Sequence, residues 1–298
     1  MIKIQNYSLQ LRQKMKIINK DFSQDGSIKY TFNIPEKGNL ESIYFTFNGK
    51  YRGDLINDTV ICLSSQIGCK IACPFCATGK MKERSNLDLL EMNKEIELIQ
   101  NDLTSLNLPR ANYYALMGMG EPLLNTDNVK KFFEENINDV NGISLSTAGI
   151  PDKIKEIAYS DNLDFLLYIS LHTPYDSQRD KLVPINKNWP IKDVLDAGRI
   201  YSIEKKEKTI LTYMIMPNVN DTLEHARDLS LLVNPEYFLV QLTCFNPLNE
   251  KDIPKTEKNF DDSILLFTEA LKSKGIEHDA QTSKGKDIKG GCGQLEAR

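Results

Sequence analysis

Residues 59–80 read TVICLSSQIGCKIACPFCATGK. Thr59 to Ser64 is a short β-branched and apolar run of the kind that forms a buried strand. Cys69, Cys73 and Cys76 follow at once, and their C-x3-C-x2-C spacing puts three thiols on one short loop at the end of that strand. Working outward, further β-type runs lie at Tyr113 to Met117, Gly142 to Thr147, Phe165 to His172, Thr209 to Met216 and Tyr237 to Phe245, with a later one at Ile276 to Gln281. Helical periods fill the gaps: Leu87 to Leu103, Val129 to Glu135, Asp152 to Tyr159, Ile191 to Glu204, Leu223 to Leu232 and Asp261 to Ser273. Several open on Asp, Asn or Thr and close on Gly or Pro, as capped helices do. Strand and helix alternating over roughly 200 residues predict an α/β fold on a parallel sheet, with its active site at the strand ends.

The chain has 298 residues, enough for a substantial core. Neither an apolar run long enough to span a membrane nor the pattern of a secretory signal is found, so the expected location is the cytoplasm, with no membrane partner. Thiols stay reduced there, and a tight group of them reads as metal-binding or catalytic rather than as a disulfide framework. Three thiolates are one short of the usual complement of an iron-sulfur cluster, which leaves one iron open to a small ligand. A zinc site completed by a distant residue, or a redox pair of Cys73 and Cys76, are the competing readings. Net charge is −4, which argues against passive nucleic-acid binding by bulk electrostatics. Residues 1–60 nonetheless hold nine Lys or Arg against six acids, which reads either as the place where RNA would be touched or as a solvated basic surface on a small N-terminal element.

Taken together, the blocks CLSSQIGCKIACPFCATG, MGMGEPLLN, LSTAGI, SLHTPYD, LVPIN, YMIMPNVND and GGCGQL resemble, in content and order, the RlmN/Cfr family of radical-SAM RNA methyltransferases. The resemblance runs from about Glu41 to the last residue. It implies a partial (β/α)6 barrel over residues 56–298 with a C-terminal catalytic cysteine loop, preceded by a small accessory segment, 1–55. It also implies a 4Fe-4S cluster on Cys69, Cys73 and Cys76, with S-adenosyl-L-methionine chelated at the open iron and cleaved to a radical. The cofactor contacts implied are Gly120 and Glu121 after one strand, Ser146 after the next, Ser170, Leu171 and His172 after the third, and Asn246 after the last. Singly, Gly-Glu is an ordinary turn, His172 a satisfied core histidine and Asn246 a turn former.

Two more cysteines match the family's own chemistry. An adenine carbon 2 or 8 is too electron-poor to attack a methylsulfonium. The resemblance therefore implies that Cys292 is first methylated, that its methylene is then joined to the base, and that Cys62 accepts a proton and closes a disulfide with Cys292 to release the product. Glu41 matches a family acid given a proton-transfer role. Read without the family, Cys62 and Cys292 are isolated thiols, commonly small buried hydrophobes or inert. The implied substrate is an adenosine of rRNA or tRNA, and the implied electron donor a reducing protein such as flavodoxin or ferredoxin. Two departures stand out: about 40 residues precede Glu41, and NINDVNG replaces a basic pair before LSTAG. They weaken RNA as the substrate without touching the chemistry, so one alternative is the same chemistry on a peptide or small molecule; a second is a non-catalytic iron-sulfur protein, against which the retained Cys62 and Cys292 argue.

Overall fold

The computed structural model describes residues 14–51, 54–161, 163–249 and 260–297. The chain packs as two compact units: Met1–Lys70, Ala77–Leu145 and Lys284–Arg298 form one, Ile71–Cys76 and Ser146–Ser283 the other.

In the first unit β1 (Lys16–Phe22), β2 (Ile28–Ile34), β3 (Gly38–Tyr51) and β4 (Asp54–Leu63) pair antiparallel in succession. No strand is expected from the sequence before Thr59, so β1 to β3 are new. After β4 come a two-residue strand β5 (Gln66–Ile67), the single turn α1 (Ala77–Lys80), β6 (Ser85–Asn86) pairing with β5, and α2 (Leu89–Ser105). The helix α2 starts where Asp88 and Glu91 form a capping box, each side chain accepting the other's backbone N–H. Then β7 (Tyr113–Leu116), α3 (Thr126–Asn136) and β8 (Gly142–Thr147) follow, and β4, β7 and β8 pair in parallel.

Strand register sorts this sheet into two faces. Tyr30, Phe32, Ser42, Ile61, Leu63 and Tyr114 share one face, and α2 covers it: the Tyr30 hydroxyl donates to Asp102 Oδ2 at 3.1 Å, and Gln100 Nε2 to the Tyr114 hydroxyl at 3.5 Å. Lys29, Thr31, Glu41, Ile43, Cys62 and Ala115 share the other.

The second unit contains α4 (Pro151–Ala158), β9 (Leu166–Ser170), α5 (Asp176–Leu182), α6 (Ile191–Lys205), β10 (Thr209–Ile215), α7 (Leu223–Leu232), β11 (Phe238–Cys244), α8 (Phe260–Lys272) and β12 (His278–Gln281). Strands β9 to β12 lie side by side in chain order, all parallel. Here too one face is apolar and takes the helices. Tyr213 meets Phe267 of α8 at 4.9 Å between ring centroids. At Gly198 of α6 a side chain would come within 3.0 Å of both Ile169 and Phe238, so the missing Cβ sets how closely the helix lies on the sheet. The opposite face carries a half-buried polar row, Ser170, Thr212, Gln241 and Asp279, aligned by register.

All seven strands expected from Thr59 onward are present, alternating with the expected helices, so the α/β class with parallel strands holds. Among the described residues no helix is long and apolar enough to cross a membrane.

Candidate active site

Cys62 in β4 stands opposite Ile43 in β3 and beside Ala115 in β7. Residues 284–297 cover this face. A Cβ on Gly290 would lie 2.5 Å from Ile43 Cδ1 and one on Gly285 2.7 Å from it, and Gly290 N–H closes the turn onto Gly285 O at 2.7 Å. The tip of Ile43 is thus seated in a turn that glycine makes open enough to receive it. Because Cys62 is the register partner of Ile43, this docking brings the next thiol along the segment, Cys292, into electrostatic range of Cys62. No disulfide joins them, and Cys62 is half-buried and Cys292 exposed. Burial first, then the Cys292 sulfur and the Glu95 carboxylate, push the Cys62 thiol far above its ordinary value, while an N–H from Met117 pulls the other way. Cys62 therefore keeps its proton at neutral pH.

Glu41 shares this face, but its carboxylate is occupied. It accepts from Glu296 N–H at 2.8 Å and Thr31 Oγ1 at 3.5 Å, and pairs with Lys29 at 3.5 Å. Its visible work is to anchor the segment that carries Cys292, together with Ala77 N–H to Gly293 O at 2.8 Å and Thr78 Oγ1 to Leu295 O at 2.7 Å. On the helix side, Glu95 of α2 receives Ser42 Oγ and the Ser64 N–H, while its Oε2 has no partner. Burial raises its carboxyl to about 8, so it is a neutral acid at pH 7.

Gly118 to Glu121 follow β7. Their glycines serve the protein itself: a Cβ on Gly120, whose φ is +102°, would be 2.6 Å from Gln66 Cβ, and one on Gly118 2.6 Å from Ser64 Oγ. Met119 O accepts from the N–H groups of Ser65 and Gln66, and Glu121 N–H donates to Gln66 Oε1 at 2.8 Å. The side of Gly120 on which a Cβ would stand is thus taken by Gln66. Glu121 is buried and caps the following turn, accepting from Leu123 N–H at 3.0 Å.

In the second unit the chain leaves β9 through Ser170, Leu171 and His172. His172 has φ +63°, is buried, and its Nδ1 accepts from Met214 N–H at 3.1 Å. That bond assigns the ring proton to Nε2. Burial, then the Arg179 charge, lowers its value to about 3, so the ring is neutral. Phe75 of the cysteine loop meets it edge-on at 5.4 Å, and in the same loop Cys76 N–H donates to Cys73 O at 3.1 Å. Asn220, not singled out in the sequence, ties His172 O and Met214 O together through Nδ2 at 2.7 and 2.8 Å. Ser146 is half-buried near the end of β8, and Asn246 is buried with its Nδ2 donating to Ser283 Oγ at 2.7 Å. Arg179 of α5 is also new. Fully buried, it donates to Ala148 O, Ser170 O, Leu171 O and Asn186 Oδ1 at 2.6 to 3.2 Å. A run of Pro174, Tyr175 and Asp176 marks the start of its helix in the sequence.

The pattern of the radical SAM superfamily matches residues 63–229. The chain is 35% identical to a probable dual-specificity RNA methyltransferase RlmN of Carboxydothermus hydrogenoformans, over 99% of this chain and 86% of that protein. It is 33% identical to a protein of the same name from Finegoldia magna, over 97% of this chain and 83% of the relative. The chain belongs to the RlmN family of radical SAM proteins. Its fold agrees with that of a radical SAM methyltransferase from Sphaerobacter thermophilus at TM-score 0.83 and 27% identity, covering 98% of this chain and 86% of that one. As an RlmN-family protein it is a radical S-adenosylmethionine-dependent methyltransferase, and a 4Fe-4S cluster and S-adenosylmethionine are its cofactors.

The donor set fits the cluster. Between Cys69 and Cys76 there are three thiols and neither carboxylate nor imidazole, a soft set suited to iron and sulfide, with one iron left for the methionine end of the cofactor. Among the described residues no three His, Cys, Asp or Glu side chains converge on one point as the ligands of a single ion would. The ligands of a four-iron cluster each hold a separate iron and need no such convergence.

Proposed function

We propose that this enzyme methylates carbon 2 or carbon 8 of an adenosine in RNA, through a methyl group carried on Cys292. The approach of Cys292 to Cys62, fixed by the seating of Ile43 between Gly285 and Gly290, is the observation that carries the reading. In this reading Cys69, Cys73 and Cys76 hold the cluster, and the cluster with S-adenosylmethionine supplies the methyl group and the hydrogen-abstracting radical when bound. Ser146, Ser170, Leu171, His172, Asn246, Gly120 and Glu121 border the cofactor. A neutral His172 offers it an Nε2–H rather than a charge.

The chain's own thiols complete the reaction. With the base joined to Cys292 through a methylene, the net release converts this thioether and the Cys62 thiol into a Cys62–Cys292 disulfide and the methylated base. The sulfur–carbon bond breaks, a sulfur–sulfur bond forms, and the thiol hydrogen ends on carbon. Glu41 acts in this scheme by holding the Cys292 segment through Glu296 N–H.

RNA as substrate is supported by the activity named for the relatives and by Lys80, Lys82 and Arg84, all exposed in the first unit. Lys70 and Arg84 also line a polar pocket with Gln66, Ser85 and Asn86. The segment before residue 56 serves as the RNA-contacting accessory to the barrel, and a flavodoxin- or ferredoxin-type protein supplies the electron. Nucleoside mass spectrometry of total RNA from cells with and without the gene tests the proposal. Loss of a C2- or C8-methyladenosine on deletion is expected; an unchanged profile would move the substrate to a peptide or small molecule, which the net charge of −4 favours.

A further inference from the structure

Arg179 has no task in the reaction described so far, yet it heads the fully buried side chains by volume. Its guanidinium reaches the end of β9 through Ser170 O at 2.8 Å and Leu171 O at 3.2 Å, and the loop after β8 through Ala148 O at 2.6 Å. The fourth bond goes to Asn186 Oδ1 at 2.9 Å. All four acceptors are neutral, and among the described residues no carboxylate comes within the 4.0 Å of an ion pair with it.

A buried cation without an anionic partner carries a penalty of several kcal/mol. Clamping carbonyls is work that neutral amides also do, so the hydrogen bonds alone do not account for a charge here. An anion close by would. The cysteine loop supplies one: its Phe75 packs edge-on at 5.4 Å against His172, the residue next to the Leu171 carbonyl that Arg179 holds, and the groups that favour the charged guanidinium are, in order, the loop thiol Cys73, Asp176 and Asp180.

We propose that Arg179 is a positioning residue that ties the ends of the strands beneath the cysteine loop and supplies a fixed positive charge to the Cys73 side of the cluster. The proposal rests on the reading of Cys73 as a cluster ligand. Its consequence is electrostatic. A cluster on three thiolates becomes more negative when it takes up an electron, and a fixed cation in a low-dielectric site stabilises the more negative form by more. Arg179 therefore raises the reduction potential, and Asp176 and Asp180 oppose it.

The test is an anaerobic redox titration, followed by electron paramagnetic resonance, of protein reconstituted with iron and sulfide. Wild type, Arg179→Lys, Arg179→Gln and Asp180→Asn are compared. Arg179→Gln should move the potential to more negative values and Arg179→Lys should restore most of the shift, since it keeps the charge and loses the planar clamp. Asp180→Asn should move it to more positive values. This second variant keeps Arg179 and its three backbone acceptors, and the amide oxygen it puts at that position still accepts from Asn186 Nδ2, the residue that takes the fourth bond, so it decides the matter even where Arg179→Gln does not fold. An unchanged potential in Asp180→Asn, or equal shifts in the Lys and Gln variants, would overturn the proposal while leaving the cluster assignment intact. A wild-type protein that takes up no cluster under these conditions would overturn the ligand reading of Cys73, and this proposal with it.

Discussion

The two units carry their chemistry in different ways. In the first, Cys62 sits on a strand and Cys292 on a segment held by a seated isoleucine tip, two glycines and single hydrogen bonds such as Glu296 N–H to Glu41. In the second, the strand ends are cross-tied by fully buried polar side chains: Arg179 with four bonds and Asn220 with two at His172 and Met214. On the proposed mechanism the first region forms and breaks bonds to its own sulfurs, and its contacts suit a group that shifts. On the same proposal the second holds a cofactor still, and buried, fully paired polar networks are the stiff way to do that.

The largest effects should separate the regions outright. Cys73→Ala, purified anaerobically, should be colourless and lack bound iron. Cys292→Ala should keep iron and colour yet show no added methyl in its mass, whereas wild type made in cells carries one on the peptide containing Cys292. Loss of iron from Cys292→Ala would show that the first region is not separable from the cluster.

A smaller effect is expected at Ile43, 3% exposed between Gly285 and Gly290. Ile43→Ala should cost about 2–5 kcal/mol in urea unfolding. Because the cavity opens under the Cys292 segment, product formation should fall by more than the folded fraction does. An equal fall in both would mean that the seating is only structural. Gly290→Ala should be milder, since the clash is with the mobile end of the isoleucine.

The smallest effect depends on pH. Glu95 is raised from 4.5 to about 8, so the fold prefers its neutral form. For this group stability is greatest below the unfolded value and falls as pH climbs toward 8, beyond which the whole cost is present. Glu95→Gln keeps the acceptor for Ser42 and Ser64 N–H and cannot ionise. Its unfolding free energy should match wild type near pH 5 and exceed it near pH 8.5, by about 1.4 kcal/mol at most for each unit of the rise. A constant difference across that range would show that Glu95 is not a buried neutral acid.

Much of the fold was legible because buried parallel strands read as apolar runs and the intervening helices announce themselves with caps such as Asp88 and Thr222. The strands β1 to β3 were not, for a physical reason. In β2 nearly every residue is buried, so IKYTFNI lacks the alternation of a half-exposed strand, and β1 is mostly polar. At the site, the cysteine spacing by itself points to the three proposed cluster ligands. The approach of Cys292 to Cys62 does not follow from spacing, since it depends on the register of Ile43 with Cys62 and on a docking that only the folded chain displays. Arg179 was hidden because a charged residue in a seven-residue helix reads as solvated. Only tertiary packing buries it. Gly120 has a structural use that its sequence block does not announce, since a Cβ there would meet Gln66.

The account turns on Cys62 and Cys292 working as a pair on an adenine carbon. The direct measurement is intact-protein and peptide mass spectrometry of Cys62→Ala made in cells that hold the RNA substrate. Without the Cys62 thiol the disulfide cannot form, so the protein should accumulate a covalent adduct. After nuclease and protease digestion this should be an adenosine joined through one added carbon to the peptide containing Cys292. A Cys62→Ala protein that carries cluster and methylated Cys292 but no nucleotide, under conditions where wild type turns over, would contradict it.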